Sequence, residues 1–275
     1  MRFAICNELF EDWPWERVCS FVAECGYGGL EIAPFTLAER IDQFSFDQRR
    51  ALAEAASTAG VEIVGLHWLL AKTEGLHLTS PDETVRARTA SYLAELARAC
   101  RDLGGHVLVF GSPQQRNLLP GVSLKEAMTW AAEVFRSIMP TLQECGVVLC
   151  VEPLAPAETN FLTSCAEAWE LVQMVDHPHC KLHLDVKAMS AEGTPIPELI
   201  RRWAPRAGHF HANDANLRGP GFGAIDFVPI FEALLDAGYQ GWVSVEVFDF
   251  QPDPETIARR SIDYMRDCLN RIGAA

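Results

Sequence analysis

Acidic and imidazole side chains directly follow short apolar segments at four places in the second half of the chain. Three carboxylates brought to one point repel one another, and a divalent cation removes that repulsion. An oxygen-rich set with a single nitrogen donor suits Mn²⁺, Mg²⁺ or Co²⁺ better than a metal that prefers thiolates. Each residue alone is also typical of a helix cap or a solvated loop, but four on consecutive segments favour one metal site. The candidate ligands are Glu152, Asp185, His211 and Glu246.

Short apolar runs alternate with longer amphipathic segments along the whole chain, and these elements must position the candidate ligands. Glycine follows most of the amphipathic segments, as after Ala59 and Leu103, which is a common helix end. The predicted strands are residues 3–7, 29–32, 62–68, 106–111, 147–152, 181–185, 208–212 and 242–247. The predicted helices are residues 15–25, 46–59, 82–103, 124–145, 165–175, 196–203, 227–237 and 254–271.

Eight strand–helix units in this length predict an α/β fold, a single closed (β/α)8 TIM barrel over residues 1–275. In such barrels the active site forms at the C-terminal ends of the strands. The four candidate ligands stand at the ends of the last four predicted strands. Side chains alternate between the two faces of a strand, so His183 shares a face with Asp185 and His209 with His211.

Composition and charge exclude several classes of protein. Hydrophobic residues make up 49% and charged residues 22% of the chain, which is typical of a soluble globular protein. The net charge of −14 argues against a nucleic-acid or anionic-membrane partner. The nine cysteines are odd in number and form no CxxC pair, so we expect reduced, packed thiols and a cytoplasmic location.

The motifs around the candidate ligands are specific as a set. They are Glu152-Pro153, His-Leu-Asp-Val-Lys at 183–187, His-Phe-His-Ala-Asn-Asp at 209–214, and Val245-Glu246. Together they resemble the xylose isomerase-like TIM-barrel superfamily of sugar and sugar-phosphate isomerases and epimerases, which includes the ketose 3-epimerases. The resemblance spans essentially the whole chain and implies one divalent ion, Mn²⁺ in preference to Mg²⁺ or Co²⁺. It also implies that Glu152 and Glu246 move protons on opposite faces of a sugar, and that the chain forms a homodimer or homotetramer.

The chemistry open to such a site is proton transfer next to a carbonyl. A divalent cation near the carbonyl oxygen stabilises the enediolate that forms when the neighbouring C–H loses its proton. One base then gives isomerisation, two opposed bases give epimerisation, and loss of a β-hydroxyl or an aglycone makes the enzyme a lyase. A non-catalytic carbohydrate-binding barrel would predict a broken ligand set. A nuclease of the same superfamily would need further metal ligands and a basic face.

Candidate substrate-binding side chains lie at the strand ends and in the loops beyond them. One departure from the ketose 3-epimerases concerns Ala188, where the family carries a histidine, with Lys187 directly before it. A lysine there could bind an anionic group, polarise a carbonyl or pair with an acid, and it is the only sequence feature that favours the lyase. The predicted substrate-binding residues are Glu158, His67, Lys187, Asp214, Arg218 and Trp13.

Overall fold

A computed structural model describes residues 1–274 of the chain. Eight parallel strands hydrogen-bond in chain order and close into a barrel, with β1 pairing with β8. The strands are β1 Arg2–Cys6, β2 Gly29–Ile32, β3 Glu62–Leu66, β4 Val107–Phe110, β5 Val148–Val151, β6 Cys180–Asp185, β7 Ala207–Ala212 and β8 Trp242–Val245. This confirms the predicted (β/α)8 barrel, with most strand bounds within two residues of those predicted.

Nine helices surround the barrel among the residues that the structure describes. They are α1 Trp15–Cys25, α2 Phe46–Thr58, α3 Glu83–Asp102, α4 Leu124–Cys145, α5 Cys165–Val175, α6 Val186–Ser190, α7 Ile196–Trp203, α8 Val228–Asp236 and α9 Pro254–Arg271. The short helix α6 was not predicted, because its five residues are too few to show a helical period. In residues 1–274 no helix has both the length and the apolar composition of a membrane span.

Local sequence signals explain where the helices begin and end. Ser45 and Ser123 form capping boxes with Gln48 and Glu126 at the starts of α2 and α4. Gly146 ends α4 with a φ of 67°, in the left-handed region that glycine adopts most easily. These caps fix the helix bounds, and the buried face of each helix packs on the outer face of the barrel.

The side chains on the inner and outer faces of the strands differ in polarity, and the inner face carries the candidate site. Outward side chains such as Leu184 and Phe210 are fully buried beneath the helices. Toward the C-terminal ends of the strands the barrel interior is polar, with buried histidines and acids where such barrels usually hold branched apolar residues, and apolar residues such as Val64 and Val107 fill the rest of it. All nine cysteines are buried and unpaired, as predicted. A polar layer of the interior, directly beneath the strand-end acids, is therefore the distinctive feature of this fold.

Candidate metal centre and active site

Three of the four predicted ligands converge at the C-terminal mouth of the barrel. Glu152 directly follows β5, Asp185 ends β6 and His211 lies in β7. One ligand atom from each, together with one from His183, lies within 4.8 Å of the others, and all four residues are buried. This group has the size and donor types of a site for one divalent cation.

The fourth predicted ligand, Glu246, directly follows β8 and borders this group. Its Oε2 lies 3.2 Å from Nδ1 of His211, and its Oε1 accepts a hydrogen bond of 3.0 Å from the indole of Trp68. Glu246 also forms a second cluster of possible ligands with Glu8 and His67. The structure thus brings all four predicted side chains together, with Glu246 touching the others through His211.

The electrostatics of the cluster favour a bound cation. Burial, together with the charges of Glu246 and Asp185, raises the pKa of Glu152 well above its ordinary value. Burial and Glu246 likewise raise the pKa of Asp185, although Lys187 acts against them. Burial would raise the pKa of Glu246 as well, but the neighbouring imidazole of His211 lowers it. Buried carboxylates that resist ionisation together are the environment that a divalent ion stabilises, so these residues fit a metal.

Asp185 is both a helix cap and a member of the cluster. Its Oδ1 accepts a hydrogen bond of 2.7 Å from the backbone N–H of Ala188, which caps α6, and its Oδ2 accepts one of 2.6 Å from the Asn213 amide. Asn213 also accepts a bond of 2.8 Å from the backbone N–H of Lys187. Each carboxylate oxygen has two acceptor positions, so these bonds orient Asp185 and leave it able to bind a metal.

A glycine at the end of β4 makes room for the Glu152 carboxylate. A Cβ atom on Gly111 would lie 2.2 Å from Oε2 of Glu152. That distance is far inside van der Waals contact, so the carboxylate could not keep its place beside any other residue. Gly111 thereby helps to aim Glu152 into the mouth of the barrel.

A carboxylate on β2 fixes the ring of His211 from beneath. Nε2 of His211 lies 3.1 Å from Oε1 of Glu31, whose Oε2 lies 2.7 Å from Nε2 of His209. Burial would raise the pKa of Glu31, but His209 and His211 hold it well below its usual range. An ionised Glu31 only accepts hydrogen bonds, so it places a proton on Nε2 of His211. Burial would lower the pKa of His211, but Glu31 and Glu246 raise it well above its usual range, so without a metal Nδ1 also carries a proton, directed at Glu246. A cation bound at Nδ1 would take the place of that proton.

His183 lies in the cluster without a hydrogen bond to either ring nitrogen. Its ring centroid is 4.3 Å from that of His211 in an edge-to-face arrangement. Burial and the neighbouring histidines lower its pKa well below the ordinary value, so the ring is neutral at physiological pH. A neutral, unpartnered imidazole beside the carboxylates adds a nitrogen donor that the sequence prediction did not include.

Glu158 and Lys187, both predicted to bind substrate, form an ion pair at the edge of the mouth. Nζ of Lys187 lies 2.8 Å from Oε1 of Glu158 and 3.8 Å from the ring centroid of Phe248. Burial would lower the pKa of Lys187, but Asp185 and Glu158 raise it. Lys187 therefore carries a positive charge at neutral pH and is not set up to act as a base.

The other predicted substrate-binding residues make contacts of their own. His67 is buried and lies 2.9 Å from Glu8. The Asp214 carboxylate accepts a hydrogen bond of 3.0 Å from the backbone of Ile225 within its own loop. Arg218 pairs with Asp249 at 2.8 Å. Trp13 packs against Phe10 and Phe21, outside the metal cluster. A role for these four residues in substrate binding stays a prediction.

Sequence reasoning missed a buried arginine that joins two loops of the site. Arg116 is fully buried and donates to the carbonyl oxygens of Phe161, Leu162, Gly111 and Glu152, the last at 2.6 Å. Burial lowers the pKa of Arg116 to about 10, so the guanidinium is still charged at neutral pH. It clamps the loop after β4 to the loop after β5, at the backbone of a candidate ligand. No motif marks it, because its partners are all backbone carbonyls.

Comparison with known proteins identifies the family. The sequence pattern of the family described as "Xylose isomerase-like TIM barrel" matches residues 19–268. The chain belongs to this family. Within the xylose isomerase-like barrels, it is 29% identical over 229 residues to the D-psicose 3-epimerase of Ruminiclostridium cellulolyticum, covering 82% of this chain and 76% of that protein. It is 21% identical over 269 residues to the fructoselysine 3-epimerase of Escherichia coli O157:H7, covering 93% and 94%.

A solved structure of the family has the same fold. The D-psicose 3-epimerase of Clostridium cellulolyticum H10, crystallised with D-tagatose, superposes with a TM-score of 0.86 at 24% identity, covering 98% of this chain and 99% of that one. This similarity confirms the complete barrel. The family match over residues 19–268 confirms the resemblance inferred from the strand-end motifs.

Proposed function

We propose that this protein is a divalent-metal-dependent 3-epimerase of a ketose or a ketose derivative. The observation that carries the proposal is the convergence of Glu152, Asp185 and His211 at the mouth of the barrel, with Glu246 in contact with His211. The related 3-epimerases support the choice of reaction. Homo-oligomerisation, predicted from the resemblance, stays a prediction.

The proposed metal site consists of Glu152, Asp185, His211 and Glu246, with Mn²⁺ as the preferred ion. A divalent ion held there would supply positive charge next to the oxygen that becomes negative as the enediolate forms. The oxygen-rich donor set and the raised pKa of Glu152 support a hard cation.

In this proposal Glu152 and Glu246 carry out the proton transfer. Glu152 follows β5 and Glu246 follows β8, so two strands separate them around the barrel and they reach the mouth from different directions. One carboxylate takes the proton from C3, and the other returns a proton from the opposite side. Trp68 holds one oxygen of Glu246 at 3.0 Å, which fixes that carboxylate for the transfer.

The lyase reading has no observation in its favour. It depended on Lys187, and the pair with Glu158 together with the charge of Asp185 keeps that side chain protonated. A non-catalytic carbohydrate-binding barrel would predict an incomplete ligand set. All four candidate ligands are present in this sequence, which argues against it.

Deuterium exchange tests the proposal directly. The Mn²⁺-loaded protein is incubated in D₂O with D-fructose, D-psicose or D-tagatose, and the labelled carbon is read by NMR. Deuterium at C3 together with the C3 epimer is the expected result. Label at C1 would make the protein an aldose–ketose isomerase. The absence of label both from these free ketoses and from a substituted ketose such as 6-O-benzyl-D-fructose would refute the proposed reaction.

Glutamine variants test the two glutamates. Glu152→Gln and Glu246→Gln should each lose about 10²-fold or more in turnover, because general acid–base steps typically contribute that much. Glu170→Gln, an exposed glutamate on α5, is the matched control and should keep full activity. A fully active Glu246→Gln variant would show that Glu246 is not a base.

A further inference from the structure

Two adjacent cavities that share part of their walls lie at the mouth of the barrel, and only the smaller one touches the candidate ligands. The inner cavity, about 30 Å³, is bounded by Glu152, Glu158 and Glu246 and has room for roughly one water-sized group. The outer cavity is about 520 Å³, within the range of roughly 300–1,000 Å³ typical of small-molecule sites. The residues that line both are Trp68, Ser112, Pro113 and Phe248. A ligand that reaches the inner cavity therefore extends into the outer one.

Aromatic rings dominate the walls of the outer cavity. Phe35, Trp68, Phe248 and Phe250 all line it and are all partly exposed. The ring centroids of Phe35 and Trp68 are 6.3 Å apart and nearly perpendicular, and those of Trp68 and Phe248 are 6.0 Å apart. These rings present edges and faces to the cavity at the spacings that favour aromatic contacts.

The wall nearest the reaction centre is held in place. The Trp68 indole donates to Glu246, and the Ser112 hydroxyl accepts a hydrogen bond of 3.1 Å from the backbone of Leu70. The backbone φ angles of Trp68, Lys72 and Ser112 are 53°, 59° and 46°. These angles lie in the left-handed region, which residues other than glycine seldom adopt. Strained backbone of this kind clusters at ligand-binding sites and persists only where the surroundings enforce it. The cavity is therefore built into the fold.

The chemistry of the walls discriminates between substituents. Glu8 and Glu11 outnumber the single cation Lys72, which disfavours a phosphate group. A second sugar would need partners for its buried hydroxyls, and the aromatic walls offer none because the Trp68 N–H is already bonded to Glu246. The polar side chains of the cavity, among them Ser112, Gln114 and Gln115, could serve only the hydroxyls that face away from those rings. An uncharged aromatic ring needs no such partner and can pack against the exposed rings.

We propose that the outer cavity binds an uncharged aromatic substituent, carried by the sugar at the end remote from the reacting carbon. The substrate class is then a substituted ketose instead of a free one. This inference rests on the proposed function for the position of the reactive end at the inner cavity. The substituent site itself rests on the aromatic walls and the shared lining.

The test compares two probes that differ only in the substituent. Binding of 6-O-methyl-D-fructose and 6-O-benzyl-D-fructose to the Mn²⁺-loaded protein is measured by calorimetry, and deuterium uptake at C3 is measured in parallel. The benzyl compound should bind roughly 10- to 100-fold more tightly, the range for one aromatic ring stacked on protein aromatics. In Phe35→Ala the ratio should fall toward one. Phe46→Ala removes a phenylalanine that is 55% exposed on α2 and should leave the ratio unchanged.

The two readouts separate the two proposals. Equal binding of the methyl and benzyl compounds by the wild-type protein overturns the aromatic subsite, whether or not C3 exchanges. A benzyl preference that persists in both Phe35→Ala and Phe250→Ala also overturns it, because the preference would then arise elsewhere. A benzyl preference lost in those variants, without exchange at C3, supports the subsite and refutes the 3-epimerase.

Discussion

The hydrogen bond between Glu31 and His211 predicts that a residue beneath the proposed metal site controls metal affinity. Glu31 is fully buried and accepts from Nε2 of both His209 and His211. In Glu31→Gln the side chain loses its charge, and its amide N–H₂ faces an imidazole N–H. The Nδ1 nitrogen of His211 then becomes less basic, or the ring takes the other tautomer with a proton on Nδ1. Either outcome weakens His211 as a ligand.

The expected magnitude follows from the geometry. Loss of a hydrogen-bonded partner of a metal-binding histidine typically costs about 10- to 100-fold in metal affinity, or about 1.4–2.7 kcal/mol. A single hydrogen bond to a charged group contributes about 1.5–3 kcal/mol, which agrees with that range. Because Glu31 lies below the ligands and away from the cavity, turnover at saturating Mn²⁺ should change much less than the affinity does.

Calorimetric titration of the metal-free protein with Mn²⁺ measures this effect. Glu62→Gln is the matched control, since Glu62 is exposed and pairs only with Arg2 at the barrel surface. A correctly folded Glu31→Gln variant with an unchanged Mn²⁺ dissociation constant would refute the reasoning. It would mean either that His211 is not a ligand or that another group sets its tautomer.

Three further predictions concern the metal site and its edge. Mn²⁺ at 100 times its dissociation constant should stabilise the folded protein by about 2.7 kcal/mol and raise its Tm by about 5–10 °C above that of a sample with chelator. Coincident melting curves of the two samples would contradict metal binding. Gly111→Ala should weaken Mn²⁺ binding by roughly tenfold or more in a titration, because the new Cβ displaces the flexible end of Glu152. The control variant Gly28→Ala should bind Mn²⁺ normally, since the nearest atom to its new Cβ is 3.4 Å away. Lys187→Met should keep Mn²⁺ bound while kcat/KM for ketoses falls by roughly tenfold, since the positive charge beside Glu158 is lost. Unchanged kinetics would show that Lys187 has only a structural role.

Much of the fold could be predicted from the sequence because its signals are local. Glycines after the helices and short apolar runs indicated the eight strands, with most bounds within two residues of those observed. Glu152, Asp185, His211 and Glu246 were predictable as a group for the same reason, since parallel strands in a barrel bring their C-terminal ends to one edge.

The remaining features of the site depend on contacts across the barrel. Glu31 reaches His209 over 178 positions of sequence, and Trp68 reaches Glu246 over the same separation. Such pairs follow from the tilt and register of the closed sheet, which the periodicity of a single strand does not specify. The unpartnered ring of His183 is also a property of its neighbours, because the same residue in the same strand pattern could have been hydrogen-bonded.

The Arg116 clamp has a consequence for redesign of the enzyme. In (β/α)8 barrels, the loops after the strands are commonly regarded as separate modules, each exchangeable without loss of the scaffold. Here one guanidinium, itself in the loop after β4, holds the carbonyl oxygen of Gly111 in the same loop and those of Glu152, Phe161 and Leu162 after β5. Replacement of the loop after β5 alone would leave the buried charge of Arg116 without most of its partners, and replacement of the loop after β4 alone would remove Arg116 and leave buried carbonyl oxygens without a donor. The loops after β4 and β5 therefore form one structural unit, and a loop exchange that is meant to alter specificity must replace both loops together.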